Sequence, residues 1–551
     1  MTRYTLSWGD PNDHLFDIEL AFTAPVDDPL LHLPAWRPGR YLIQNYAANV
    51  REWSPLMRKI AKSTWQVSAR QGEEVVVRYR YYAGVLDAGS SFLSEEEAHF
   101  NGSNLFLWVD GLRHEPCELT IAADWPIESQ LMPELVARDY DHLIDSPTIA
   151  SPHMRVHSFD ESGATIHLVF LYADGIDTEQ FVEPVRAIVR VQAQLFGGLP
   201  LRDYRFLYHV TDRWHGVEHE DSCSITLKRS ALLGAKPGDE GFDHFLSITA
   251  HELFHLWNVK RILPARFAPY DYSTETPTRL LWAMEGITSY YGERSLVLAG
   301  LWDEKRYLEH LADEITLLEN SPGRHILSLA QASFDGWLQD PAHLHDRANA
   351  WVSFYNKGEL VAALLDFELR SRGRSLDALV QQLWREYGAV GRGLEEDAIE
   401  RLAGPELAEF FAKYVDRTEP LPYAELLARA AVAFESRPRE ASFGGSMRNV
   451  DGALTVERVL RGGAAMAAGI LPGDELLAIA GNRVHSEADV DRVVKALAGE
   501  TVEILTSRFG VVRSHPFTAG ADGGVDIELG IDREADEARH EFRREWLRRS
   551  E

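Results

Sequence analysis

Apolar and polar residues alternate with a period of two over much of the first third of the chain, the spacing of half-buried strands. Val75-Val76-Val77-Arg78-Tyr79-Arg80-Tyr81 and Thr165-Ile166-His167-Leu168-Val169-Phe170 alternate or run apolar between glycine-bearing turns, and residues 1–172 therefore read as a β-rich amino-terminal domain. From about Thr178 to Phe434 helical patterns take over, interrupted by an apolar run Tyr204–Val210 that reads as a strand. One of these helices is expected near Phe242–Asn258. Glu435–Ser442 is polar and reads as a linker. Beyond it Leu454–Leu460 alternates as a strand, Gly462-Gly463 breaks it, Ala464–Ala468 makes a short helical turn, and Leu471-Pro472-Gly473-Asp474 turns into the strand Glu475–Ala480. Ser486, with Asp489 three residues later, opens an amphipathic helix with apolar positions Val490, Val493, Val494 and Leu497. The last stretch, Asp532–Glu551, reads as a charged helical tail. The chain is thus expected to be a multidomain α+β protein divided as 1–172, 173–434, 441–519 and 520–551.

The length of 551 residues agrees with that division, since it suggests about three or four domains. A hydrophobic fraction of 45% is ample for packed cores. The formal charge of −29 argues against nucleic acid and against an anionic membrane surface as partners, and mildly favours peptides with a free ammonium group. Two cysteines, Cys117 and Cys223, are too few for a disulfide framework and suit free thiols in a reducing compartment. The first twenty residues hold no continuous apolar core of the signal-peptide kind, and no later run is long enough to span a bilayer, so the expected location is the cytoplasm.

The chemistry concentrates in His251-Glu252-Leu253-Phe254-His255. Two histidines four apart on a helix turn both imidazoles toward one point, which can hold a metal ion, and Glu252 lies beside that point, where it can take a proton from water without being a ligand. This is a zinc-hydrolase arrangement. A catalytic zinc takes three protein ligands, and Glu285 is the candidate for the third: it is the one carboxylate in the mostly apolar stretch Leu280–Tyr291, where burial is costly unless something positive meets it. Thr276 as N-cap and Pro277 as first residue mark the expected start of its helix. A salt bridge to Arg279 or Arg294, or an exposed helix face, would also account for Glu285, and Glu293 is the alternative ligand.

HELFHLWNVKRI, from His251, followed by WAMEGITSYY around Glu285, resembles the glycyl aminopeptidase family, gluzincin metallopeptidases that carry a PDZ domain. Three further stretches agree: LPAWRPGRY from Leu33 resembles that family's amino-terminal signature, Gly216-Val217-Glu218-His219 its substrate-amine motif, and Ser353-Phe354-Tyr355-Asn356-Lys357-Gly358 a downstream tyrosine motif. The order of motifs is distantly similar to the aminopeptidase N and leukotriene hydrolase group. The resemblance implies a thermolysin-like, mainly helical catalytic domain holding one zinc ion, with a PDZ-like domain toward the carboxyl end, and the pattern of 441–519 resembles a bacterial PDZ domain. It also implies small amino-terminal residues, glycine or alanine, as substrates.

Each role has a physical basis. Glu218 would stop the peptide one residue from its amino terminus by a charge-assisted bond to the ammonium group, with Gly216 and Val217 in an edge strand that could pair with the bound peptide. Without the resemblance, Glu218, Glu220 and Asp221 read as an acidic surface turn. The family tends to show two glycines where this chain has His215-Gly216. Tyr355 would donate a hydrogen bond to the developing oxyanion, its phenol keeping its proton near neutral pH. In the PDZ-like domain Phe443, Gly444 and Gly445 are the expected loop for a peptide carboxyl end, and a domain that merely braces the structure is the alternative. The expected function is a zinc aminopeptidase. An endopeptidase of the same chemistry, or a PDZ-based adaptor with an idle metal site, stands as the alternative.

Overall fold

A computed structural model describes residues 1–340, 343–439, 441–520 and 524–548, which fall into two compact units. The expected tail, 520–551, therefore lies partly outside the described residues.

The first unit comprises Met1–Leu280, Thr288–Trp302 and Ser375–Leu402. Its amino-terminal part is β-rich as the alternation predicts. Strands Thr2–Trp8, Leu15–Thr23 and Glu74–Tyr82 lie side by side in a six-stranded sheet, and alternate residues such as Phe16, Ile18, Leu20, Val77 and Tyr79 are turned into the core. Two four-stranded sheets complete this part. A five-stranded sheet follows, in the order Arg155–Glu161, Ala164–Leu171, Asp203–Thr211, Ser222–Lys228, His215–Glu218. Its centre is nearly all buried, because helices cover it: Tyr208 of the sheet lies against Phe245 with ring centroids 5.2 Å apart, and behind it Gln192 of Val182–Phe196 donates to the Ala250 carbonyl (2.8 Å). Ala164–Leu171, read as part of an amino-terminal domain 1–172, instead runs parallel to Asp203–Thr211. The two-residue period identifies a strand but does not say which sheet it joins.

The second unit comprises Leu281–Ile287, Asp303–Arg374 and Ala403–Glu551. The region read as PDZ-like has the expected elements: strands Gly445–Val450, Ala453–Val459, Glu475–Ile479, Thr501–Arg508 and Val511–Thr518, and the helix Glu487–Ala496 capped by Ser486, whose side chain accepts from the Asp489 N–H (3.1 Å). Val490 and Val494 of that helix are buried with Val456, Ile479 and Ile504.

The ends of this region depart from the expectation. Glu435–Ser442 begins as strand rather than linker: Val432–Pro438 pairs antiparallel with Val525–Ile531, from Val432↔Ile531 to Pro438↔Val525. The segment 520–551, read as a charged tail, thus supplies a strand ahead of the expected helix, Glu537–Leu547, whose Trp546 is fully buried against Phe367 and Tyr307. Asn320 grips this strand at both backbone atoms of Val525 (2.7 and 2.8 Å). Apolar residues in that stretch are few and widely spaced, so its amphipathic side is hidden by charge.

Candidate active site

His251 lies in the last turn of the helix Glu240–Phe254, and His255 is its C-cap, so the helix ends one turn earlier than Asn258. The early end frees the chain to turn back. His255 Nδ1 sits 2.7 Å from the Asn258 carbonyl, which only accepts, so this nitrogen carries the proton and leaves the Nε2 lone pair for a metal. That Nε2 is 3.1 Å from Nε2 of His251, whose Nδ1 faces the Ser289 hydroxyl at 3.5 Å. Two imidazole nitrogens converging tip to tip suit a common ion better than each other.

Glu285 lies on a π turn, Trp282–Gly286, that leads into the helix Ile287–Leu298. Thr276 and Pro277 precede this element and do not start it. Thr278 does the local capping, accepting from the Leu280 N–H (3.2 Å). A π turn adds a residue and rotates the helix beyond it, which side-chain periodicity does not reveal. Its glycine has a packing reason: a Cβ on Gly286 would overlap the Gly358 backbone, and one on Gly358 would come 2.8 Å from the Trp282 carbonyl. The glycine of the tyrosine motif therefore lets the helix Asn356–Arg370 lie directly on the turn that carries Glu285. Glu285 is 2% exposed, and one carboxylate oxygen lies with a ring nitrogen of His251 and of His255 in a group whose atoms are all within 4.8 Å. Two imidazoles and a carboxylate fit zinc, with a position to spare. Glu293, the alternative ligand, accepts a hydrogen bond from Ser247. Arg294 forks onto Asp377 at 2.6 and 3.1 Å.

Glu218 ends the edge strand His215–Glu218, as expected for a peptide-pairing strand, but it is no surface turn: it is 5% exposed. Its carboxylate, that of Glu252 and a ring nitrogen of His255 form a second group within 4.8 Å. Glu218 Oε1 is buried without a hydrogen-bond partner, which leaves it an acceptor in want of a donor. Two glycines hold these carboxylates close. Gly39, at φ +78°, would put a Cβ 2.5 Å from Glu218 Oε2, and a Cβ on Gly216 would overlap the Glu252 carboxylate. Of the pair His215-Gly216, the second position is the one that needs glycine. Gly216→Ala should therefore displace Glu252 and lower turnover about 100-fold, the scale for small misplacements, with metal content and thermal stability little changed. An unaltered rate would show that Glu252 has room to move.

The surroundings of Glu218 include groups that no sequence motif singles out. Lys260, inside the quoted HELFHLWNVKRI stretch, is buried and pairs with Asp145 (2.8 Å), which also accepts from His219 Nδ1 (3.0 Å). Burial alone would raise the Asp145 carboxyl, but the Lys260 ammonium and His219 hold it well below the usual carboxylate range. Burial pushes His219 down more than Asp145 raises it, so its ring is neutral. Asp145 stands in no motif, and only the fold brings it here. Tyr355 caps the helix Asn356–Arg370 and is 39% exposed, stacked on Phe354.

In the PDZ-like region Gly444, at φ +77°, donates to Ser442 Oγ (3.0 Å), and Phe443 is buried beside Phe517. The strand Gly445–Val450 lies at the sheet edge, where the Glu487 carboxylate already accepts the Met447 N–H (3.3 Å). Asn349 joins this region to the helical part of its unit, donating to the Val459 carbonyl (2.9 Å) and accepting from the Arg461 N–H (2.7 Å). Among the described residues no helix is long and apolar enough to cross a membrane.

Family models agree with these parts. That of the M61 glycyl aminopeptidases matches residues 244–361, that of the M61 N-terminal domain 3–152, and that of the PDZ domain 455–508. No curated protein matches the chain. Its fold is similar to the crystal structure of an aminopeptidase N family protein from Idiomarina loihiensis, at 27% identity and a TM-score of 0.92 over 99% of this chain and 100% of that one. An M1 zinc metallopeptidase from Deinococcus radiodurans is 14% identical with a TM-score of 0.47, over 76% of this chain and 94% of its own. With both M61 modules and the PDZ domain matched in one chain, the protein is similar to the M61 glycyl aminopeptidases over these segments and is a metallopeptidase.

Proposed function

We propose that the protein is a zinc aminopeptidase that removes the first residue of peptides bearing a free amino group. The observation that carries this reading is the Glu218 carboxylate, buried, short of a partner, and grouped with Glu252 and His255 within 4.8 Å. A carboxylate there would bind an ammonium group and leave the first peptide bond beside the metal ligands. His251, His255 and Glu285 would hold one zinc ion per chain. When bound, zinc supplies Lewis acidity and brings the pKa of water to about 7. Glu252 takes the proton of the attacking water and returns it to the leaving amine. Tyr355 donates to the carbonyl oxygen as charge develops there, a role supported by its motif and its half-exposed ring. The edge strand His215–Glu218 offers Gly216 and Val217 for backbone pairing with the peptide. The loop Phe443–Gly445, at the start of an edge strand, is the place for a second peptide's carboxyl end. We place the PDZ-like domain at 441–519.

The test compares free and amino-acetylated peptides. Acetylation removes the charge that Glu218 needs, so the native protein should cleave only the free form, at its first bond. Glu218→Ala should cost about 2–5 kcal/mol of transition-state binding for free-amine peptides while metal content stays constant. Equal cleavage of both forms at internal bonds would replace this reading with an endopeptidase.

A further inference from the structure

A cavity of about 250 Å³ opens beside Glu218, lined among others by Arg37, Asp145, His219, Lys260, Phe267 and Tyr270. Glu218 is not in its wall, but residues next to that carboxylate are. Pro38, in its wall, precedes the Gly39 that abuts Glu218; His219, also in its wall, comes directly after Glu218 in the chain; and Lys260 lies near enough to feel the Glu218 charge. A peptide whose ammonium group meets Glu218 would have this cavity within reach of its first side chain.

Glycine would leave the space to water, at about 30 Å³ per molecule, and alanine would fill little more. Charge then decides which larger side chain fits. On the rim Arg138 pairs with Glu220, and Asp141 with Arg113 (2.8 Å). In the buried part Lys260 is paired with Asp145 and His219 is neutral, whereas Arg37, although near enough to Asp87 to act on its charge, makes no ion pair with it. Arg37 is 2% exposed, and its Nε and Nη2 have no hydrogen-bond partner, its Nη1 alone reaching the Pro38 carbonyl (3.0 Å). A basic side chain would meet Arg37 and Lys260, and an apolar one would leave the guanidinium unmet.

We propose that this cavity receives the side chain of the peptide's first residue and selects an acidic one, aspartyl or glutamyl, over the glycine or alanine of the family name. This rests on the aminopeptidase reading. With the ammonium group on Glu218 and the side-chain carboxylate on Arg37, the substrate's two charges are both neutralised in the site. Tyr270 and Phe267 flank the methylenes.

A panel of aminoacyl amides of one fluorogenic amine (glycyl, alanyl, leucyl, lysyl, aspartyl, glutamyl), hydrolysed by the zinc-loaded full chain, tests it. Acidic substrates should exceed glycyl and alanyl ones at least tenfold in kcat/KM, with lysyl lowest. Arg37→Met should bring the glutamyl-to-alanyl ratio to about one, through KM, and Arg37→Lys should restore part of it. Independently, L-glutamate should raise the melting temperature of the native protein and glycine should not. Fastest hydrolysis of glycyl or alanyl substrates, or no shift with L-glutamate, would overturn the proposal and leave the aminopeptidase intact. Failure of every free-amine substrate would remove the aminopeptidase reading and this proposal with it.

Discussion

Glu252→Gln is expected to keep one metal ion per chain and to lose about 100- to 10,000-fold in turnover, the range for a general base. The glutamine keeps the size of the side chain and its fit against Gly216, but its amide cannot take the proton from water. His255→Ala should lose the metal. The comparison has force because the structure contains two overlapping ligand groups: His251, His255 and Glu285 in one, Glu218, Glu252 and His255 in the other. If the first holds the ion, Glu285→Ala empties the site and Glu252→Gln does not. If metal analysis finds the reverse, Glu252 is a ligand and the proton must go elsewhere. The tautomer of His255 favours the first group, since Nδ1 faces the Asn258 carbonyl and Nε2 faces His251.

The amino-acid sequence makes the convergence of His251 and His255 legible because they sit four residues apart at the end of one helix, and the two-residue strand period makes the β-rich part legible in the same way. What it hides is made by distant pairings. Asp145 and Lys260 are far apart in the chain, and nothing local marks either as a partner. The π turn that presents Glu285 has no periodic signature, so local signals place the start of its helix at Pro277. Gly216, Gly39, Gly286 and Gly358 are visible as glycines, but the reason for each is a backbone or carboxylate pressed against its missing Cβ. The charged carboxyl-terminal stretch shows its helix but conceals the strand before it and the helix's docking, for a different reason. Its strand is held by backbone bonds, to which side-chain hydropathy is blind, and its helix by Trp546 among many charges.

That last difference decides how the PDZ-like domain can be removed. Ending the chain near Arg439 should unfold the second unit, whereas deleting 441–520 should not. Truncation at Arg439 takes away Val525–Ile531, leaving Val432–Pro438 with an open edge, and takes away Phe542 and Trp546 from against Phe367. Loss of a buried tryptophan alone costs about 3–5 kcal/mol, a large part of a unit's marginal stability of about 5–15 kcal/mol, and the strand and the Asn320 grip go with it. The internal deletion respects the fold, because Pro438 and Val525 are paired neighbours, and residues 439–440 joined to 521–524 give a short connection of hairpin type. The deletion variant should melt cooperatively, bind zinc and cleave short peptides at near the native rate, with the truncated chain aggregating or melting at least about 10 °C lower. A folded, zinc-loaded deletion variant without short-peptide activity would mean that the PDZ-like domain takes part in the reaction, and an intact, active truncated chain would mean that the carboxyl-terminal strand and helix are dispensable.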